Sequence, residues 1–253
     1  MNKGIKFLSL GALVVTLGLN STQQTFAAEQ PNTNKYSLSS EDTMELKTFF
    51  SKYEVNNVTQ EKLINKFNEG RAWDSLDQNS QPVLTYTVSN DGQKELVSTY
   101  KDGSILVSAI DPALVEFNVP EIPTSEKSLK IVKDGPSRAV DPGTVTGGSG
   151  YKSYKKAKVY SSSGIVSAYF YANFTIVQGG KDYISSVYDY KLTGIGGTAT
   201  VDNFRIVRKT ETLDNKASAK LDFTFAPFNG TASTTCWLKL FVGGDKYSSD
   251  RAF

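Results

Sequence analysis

The sequence contains no histidine and only one cysteine. Without histidine the chain cannot build a Ser-His-Asp triad, a Cys-His dyad or a histidine-ligated metal site. One cysteine excludes an intrachain disulfide, a thiolate zinc site and a CxxC redox motif. We therefore expect no metal, no cofactor and no catalytic residue of these classes.

Net charge is also nearly absent, since 28 basic and 26 acidic residues give +2 over 253 residues. The balance conceals two unlike halves. Residues 28–149 carry 12 basic and 18 acidic side chains, whereas residues 150–253 carry 14 and 8. One interpretation is an acidic pro-region that masks a basic effector, such as a toxin or an antimicrobial protein, through complementary potentials. The other is a two-domain protein that is never cleaved.

No apolar run is long enough to span a bilayer, which takes about 20 residues. Lys3 and Lys6 precede a shorter apolar run at residues 7–19, and Thr25 and Ala27 supply small residues at a cleavage site. This order is typical of a secretory signal peptide. We expect residues 1–27 to be removed and the mature chain to be secreted, extracellular and without a transmembrane segment.

The pattern downstream predicts a mainly β protein in which a small α+β unit precedes an antiparallel β-sandwich. In residues 28–110, Leu46, Phe49, Phe50 and Tyr53 form one helical face, and a second helix opens at Asn57. Turn residues at 90–92 and 101–103 then separate three short strands, which predicts a three-stranded meander.

Residues 111–150 contain five of the eight prolines and end in Gly-Gly-Ser-Gly, which predicts a linker. Residues 151–253 alternate apolar and polar side chains over long stretches, as at 166–176, 217–225 and 236–242. Six or seven strands of this kind within about 100 residues indicate a β-sandwich.

Two stretches resemble a group of uncharacterised two-part secreted proteins of Gram-positive bacteria. The first is residues 58–66 (VTQEKLINK), continued by Gly70, residues 73–75 and residues 100–104. The second is residues 153–160 (SYKKAKVY), continued by residues 179–180, Asp182, residues 184–185 and residues 242–245. The resemblance implies secretion, a helical and hairpin N-terminal unit and a C-terminal sandwich, and it implies no activity and no catalytic residues.

Nine of the thirteen tyrosines follow residue 150, and several aromatic side chains oppose the apolar face of their strand. Tyr169, Tyr171, Trp237 and Phe241 are of this kind. On an exposed sheet they would supply flat apolar platforms for sugar rings or a protein interface. The alternative is that this second face is buried under a loop or under the N-terminal unit.

Residues 151–160 interleave lysine with tyrosine. Lys152, Lys155, Lys156 and Lys158 could bind an anionic wall polymer or lipid headgroups by charge. They could equally protect an edge strand from aggregation. Nucleic acid is an unfavoured partner because the chain is predicted to be secreted and its charge is modest.

Whether the protein is an enzyme stays open, although the pattern favours a non-enzymatic binding protein for a cell-wall polymer, a glycan or a protein surface. A histidine-free glycan-active enzyme would need two carboxylates about 5–9.5 Å apart. No spacing in the sequence selects such a pair. Cys236 lies in the middle of an apolar strand and is expected to be a buried, inert thiol.

Overall fold

The computed structural model describes residues 36–90, 93–110, 130–131, 140–141 and 143–253. The predicted signal peptide lies outside these residues. All of the described residues belong to one compact unit. The fold is mainly β, with two helices before the main sheets, which confirms the predicted fold class.

Both predicted helices are present, as α1 (Ser40–Lys52) and α2 (Asn57–Asn68). Ser39 caps α1 by accepting a hydrogen bond from the Asp42 N–H at 3.0 Å. As predicted, α2 begins at Asn57; its cap is Asn56, which has extended backbone and accepts a hydrogen bond from the Thr59 N–H at 2.9 Å. The helix is followed by Gly70, whose φ of +72° suits a residue without a side chain.

In the described part of the chain, thirteen strands follow the helices and a short 3₁₀ helix at Asp74–Leu76. They are β1 (Leu84–Asn90), β2 (Gln93–Thr99), β3 (Ile105–Ile110), β4 (Lys130–Ile131), β5 (Val140–Asp141), β6 (Thr144–Gly148), β7 (Tyr151–Ser162), β8 (Val166–Val177), β9 (Tyr183–Gly194), β10 (Gly197–Arg208), β11 (Ala217–Pro227), β12 (Thr234–Val242) and β13 (Tyr247–Ala252). The first three are the predicted meander.

The strands form two antiparallel sheets. The first sheet has the order β4-β1-β2-β3-β7-β8-β9, with β5 and β6 also paired to β7, and the second has the order β10-β11-β12-β13. The meander joins the first sheet through β3 and β7, where Val107 pairs with Ser162 and Ser108 with Ser161. The meander therefore shares one sheet with β7, β8 and β9.

The two sheets face each other across a continuous apolar core. Phe170 and Phe174 of the first sheet and Leu221 and Leu238 of the second are buried in the same cluster. Rings also meet across the gap, since Phe174 lies 4.9 Å from Tyr247 between centroids. As the alternation of apolar and polar residues predicts, one face of each strand is buried.

The helices pack against one end of the sandwich, which we call the capped end. A Cβ atom at Gly164, between β7 and β8, would lie 2.8 Å from the Phe49 ring of α1. A Cβ at Gly196, between β9 and β10, would lie 2.7 Å from the Phe67 ring of α2. Glycine at these two turns permits the close approach of the helices.

The structure covers part of the predicted linker. Residues 144–148 form β6, which pairs with β7, and Gly150 turns the chain into β7 with a φ of +83°. Residues 111–129, 132–139 and 142 lie outside the described residues. The division of the chain into units 28–110, 111–150 and 151–253 stays a prediction.

Among the residues that the structure describes, none of the helices has both the length and the apolar character needed to cross a bilayer.

Candidate functional site

The outer face of β7, β8 and β9, on the side of the first sheet away from the second, gathers tyrosine and lysine side chains. In β7 an irregularity lies between Tyr154 and Ala157, and Lys156 at this point has a φ of +58°. The extra residue is a β-bulge, which reverses the alternation of faces. Tyr154 and Ala157 are therefore both buried, whereas Lys158 and Tyr160 point outward.

Two tyrosines of β8 lie opposite these residues. Tyr160 pairs with Tyr169, and Lys158 pairs with Tyr171. Side chains of paired residues project to the same face of a sheet. Tyr169 and Tyr171 are half-buried on this face, while their neighbours Phe170 and Ala172 are fully buried in the core. The predicted alternation of this strand is thus observed, and these two rings lie on the outer face.

Tyr188 of β9 completes the group. Tyr171 pairs with Tyr188, and Tyr169 pairs with Lys191, because a second bulge lies between them at Asp189, where φ is +51°. The bulge places Tyr188 on the outer face and sends Tyr190 toward Phe204, whose ring centroid is 5.2 Å away.

We call the surface formed by Lys158, Tyr160, Tyr169, Tyr171 and Tyr188 the tyrosine face. The Lys158 ammonium lies 4.5 Å from the Tyr169 ring centroid and 5.2 Å from that of Tyr160. The Tyr169 and Tyr171 rings meet edge to face at 5.7 Å, and the Tyr171 and Tyr188 rings stack at 6.1 Å. These side chains already contact one another, so the surface is preorganised. Lys191, which pairs with Tyr169, lies on the same face.

Hydrogen bonds hold the edge of this surface in place. The Tyr188 hydroxyl donates to Asn173 Oδ1 at 3.2 Å, and the same oxygen accepts from the Lys156 N–H at 2.8 Å. The Asn173 amide nitrogen donates to Ser186 Oγ at 2.9 Å. Asn173 thus links the bulge of β7 to the ring of Tyr188.

The side of the tyrosine face nearest the helices carries a buried acid. The Tyr53 hydroxyl donates to Glu95 Oε2 at 3.0 Å, and Lys52 Nζ lies 3.3 Å from the same oxygen. Burial raises the pKa of the Tyr160 hydroxyl, and the negative charge of Glu95 adds to the rise.

The other predicted anion-binding lysines are exposed but are not gathered with Lys158. Lys155 precedes the bulge, Lys156 lies in it, and Lys152 lies near the start of β7. Lys152 pairs with Ile176 and so belongs to the opposite face from Lys158. The structure thus brings one of the four lysines into the aromatic group and spreads the others along the strand.

The other two predicted aromatic residues lie elsewhere. Trp237 and Phe241 are half-buried on the outer face of the second sheet. The Lys220 ammonium lies 5.3 Å from the Trp237 ring centroid, and Lys239 lies 4.5 Å from the Phe241 centroid. The four aromatic candidates therefore divide between opposite sides of the sandwich, and one ligand cannot contact all of them on a single surface.

Two carboxylates do come together in the structure. Asp182 is buried and accepts hydrogen bonds from the N–H groups of Val177 (2.8 Å) and Asp245 (3.0 Å). Glu211 accepts from the Asp182 N–H at 2.8 Å and from the Gly244 N–H at 2.9 Å. Burial raises the pKa of Asp182, the N–H donors oppose the rise, and the charge of Glu211 adds to it. These oxygens tie three loops together.

Cys236 is buried, and burial raises the pKa of its thiol to about 12. The thiolate, which is the nucleophile, is therefore scarce at neutral pH. Within the described residues, no group of three or more acidic, cysteine or histidine side chains is placed to hold a metal ion.

Tyr188 is the residue of the tyrosine face that sequence reasoning missed, and Tyr160 was noted only as part of a lysine-rich segment. The sequence does contain a signal for this site, because three tyrosines lie within residues 183–190. Spacing could not assign them to faces, because a bulge shifts every later residue to the other side of the sheet.

No protein-family model matches the chain, and no curated protein matches it at a significant level. One solved structure is similar, the crystal structure of a hypothetical protein from Listeria monocytogenes. The two chains share 17% identity over 63% of this chain and 93% of that one, with a TM-score of 0.31.

Proposed function

We propose that this protein is a secreted, non-enzymatic binding protein and that its tyrosine face binds a carbohydrate of a cell surface. The observation that carries the proposal is the row of four half-buried tyrosine rings, two of which lie beside the Lys158 ammonium. Half-buried rings leave part of their apolar surface in contact with water, and covering that surface is favourable. Export is supported by the signal-like pattern of residues 1–27.

The chemistry of the face favours sugar rings over a purely ionic target. Tyrosine offers both a flat apolar body and a hydroxyl that donates or accepts hydrogen bonds, which matches the apolar and hydroxyl faces of a sugar. Lys158 and Lys191 add positive charge beside the rings, so a glycan that carries a carboxylate or a phosphate gains a further contact. The face therefore suits a carbohydrate, including an anionic one.

The test is a pull-down of the purified protein with isolated cell walls and with a panel of immobilised glycans. Truncation of a central aromatic residue in a binding surface typically costs at least about 2 kcal/mol, so Tyr171→Ala should weaken binding by about thirtyfold. Trp237→Ala, on the other side of the sandwich, is the matched control and should leave the binding unchanged.

A second variant separates apolar contact from charge. Lys158→Gln should weaken binding of anionic glycans and make it less sensitive to salt, while neutral glycans are affected less. If no glycan or wall preparation binds at low salt, or if only Trp237→Ala reduces binding, the assignment of this face is wrong.

A further inference from the structure

Three loops meet at the end of the sandwich opposite the capped end, and we call this the free end. They are residues 178–182, 209–216 and 243–246, which connect β8 to β9, β10 to β11 and β12 to β13. The hydrogen bonds of Asp182 and Glu211 described above join all three. A backbone hydrogen bond from the Glu211 N–H to the Asp182 carbonyl, 2.9 Å long, adds to them. The free end is therefore a built surface rather than three independent loops.

Leu213 projects from this end into solvent with a relative exposure of 105%. Its turn is closed by two hydrogen bonds, from the Thr212 N–H to the Asn215 carbonyl at 2.8 Å and from the Asn215 N–H to Thr212 Oγ1 at 3.2 Å. The turn thus holds an apolar side chain outward. A single exposed leucine is ordinary on a protein surface and does not by itself indicate a function. The other residues of the free end must therefore be considered with it.

Four exposed lysines lie in the same three loops as the leucine: Lys181, Lys209, Lys216 and Lys246. No ion pair within the described part of the chain engages any of them. Of the acids at this end, Asp182 is buried and Glu211 is held by backbone N–H groups, which leaves Asp214 and Asp245 exposed. Among its exposed side chains the free end thus presents four lysines and two acids, together with an apolar tip.

We propose that the free end docks on an anionic lipid bilayer, with Leu213 entering the acyl boundary and the four lysines contacting the headgroups. An anionic leaflet attracts each nearby lysine, and an apolar side chain gains free energy on leaving water for the acyl region. Lysine stems reach the headgroup level while their ammonium groups stay in water. A soluble anionic polymer would engage the lysines but would leave the leucine in water, so the combination favours a membrane.

The proposal is independent of the tyrosine face, which lies on the side of the first sheet. A membrane contact at the free end would leave the tyrosine face open to a glycan. Tyr171→Ala should therefore not change vesicle binding, and Leu213→Ser should not change glycan binding. Failure of one proposal is thus distinguishable from failure of the other.

The first experiment places an environment-sensitive fluorophore at the tip. The only native thiol, Cys236, is buried, so Leu213→Cys can be labelled selectively with NBD in the full chain. Val58→Cys on α2, where the native side chain is 66% exposed, is the matched control. With vesicles of phosphatidylcholine and phosphatidylglycerol, the label at position 213 should brighten several-fold and shift to shorter wavelength, and the label at position 58 should not change.

The fluorophore reports only on its own position, so it also distinguishes membrane contact at Leu213 from membrane contact by the apolar run at residues 7–19. If the full chain sediments with vesicles while the label at position 213 stays unchanged, another segment binds the lipid and the proposal is overturned. An equal response to vesicles of phosphatidylcholine alone overturns the role of charge. No response to either vesicle overturns the proposal as a whole.

Substitutions test the separate contributions by vesicle co-sedimentation. Each Lys→Gln change at positions 216 and 246 should weaken partitioning about fivefold, since one lysine near an anionic surface contributes about that much. Lys62→Gln on α2 is the control and should have no effect. Leu213→Ser should weaken partitioning about tenfold, as expected for a leucine withdrawn from an apolar environment. Lysine changes without effect would overturn the proposal.

Discussion

The side-chain amide of Asn229 donates a hydrogen bond of 2.7 Å to the backbone carbonyl oxygen of Phe67. The two residues are 162 positions apart. Phe67 lies in the last turn of α2, where carbonyl oxygens lack partners within the helix. Asn229 lies in the loop between β11 and β12, so the bond joins the acidic N-terminal half of the chain to the basic C-terminal half.

Asn229→Ala should lower the free energy of unfolding by about 1–3 kcal/mol, because it removes this bond and the one that Asn229 Oδ1 accepts from the Thr231 N–H at 3.0 Å. Urea denaturation measures the change. Asn203→Ala, at an exposed position of β10, is the control and should cost less than about 0.5 kcal/mol. Equal effects at the two positions would contradict a role of Asn229 in joining the halves.

Gly196→Ala should destabilise the protein more than Gly230→Ala does. Both glycines have positive φ, +63° and +82°, so each substitution carries a backbone cost of about 1–2 kcal/mol. A Cβ at Gly196 would also lie 2.5 Å from the side chain of Leu38 and 2.7 Å from Phe67, whereas a Cβ at Gly230 meets nothing within 4 Å. Overpacking adds about 1–3 kcal/mol. Equal losses of stability for the two variants in thermal or urea unfolding would show that α2 does not pack tightly against this turn.

Asp182 should make the folded state more stable at acidic pH. Its pKa in the folded protein is raised, by burial first and then by the charges of Glu211 and Asp245 against two opposing N–H donors. A carboxyl with a raised folded pKa favours folding while it is protonated, and that contribution is lost as the pH rises from about 3.8 through the folded value. Asp182→Asn does not titrate and serves as the reference.

The difference in unfolding free energy between the wild type and Asp182→Asn should therefore decrease as the pH is raised, and then level off. Urea titrations at several pH values measure it. A difference that grows with pH would mean that the N–H donors outweigh burial and that the pKa is lowered instead.

Cys236 should not react with a water-soluble thiol reagent in the native state at pH 8. The side chain is buried, so the reagent cannot reach the thiol. Its pKa is raised to about 12, so little of the thiol is present as the reactive thiolate. Unfolding in urea should expose one reactive thiol per chain. Prompt stoichiometric reaction without denaturant would show that β12 opens readily.

Local sequence was sufficient for the two helices and the long strands of this fold, but not for the short strands β4, β5 and β6 within the predicted linker. The apolar spacing of Leu46 and Phe50 identifies α1, and the alternation in residues 217–225 identifies β11, because helix and strand periods follow from backbone geometry alone. The same alternation correctly placed Tyr169 and Tyr171 opposite the core. The absence of histidine likewise removes whole classes of chemistry without reference to any structure.

The candidate site depended on contacts between distant strands. Bulges at Lys156 and Asp189 change which residues share a face, and they brought Tyr188 beside Tyr171. The pairing of β3 with β7 merged the meander into the first sheet, while Trp237 went to the second sheet. Register, bulges and sheet order arise from packing between segments far apart in the chain. For that reason the chain's period-two pattern could place each ring relative to its own strand but not relative to the other rings.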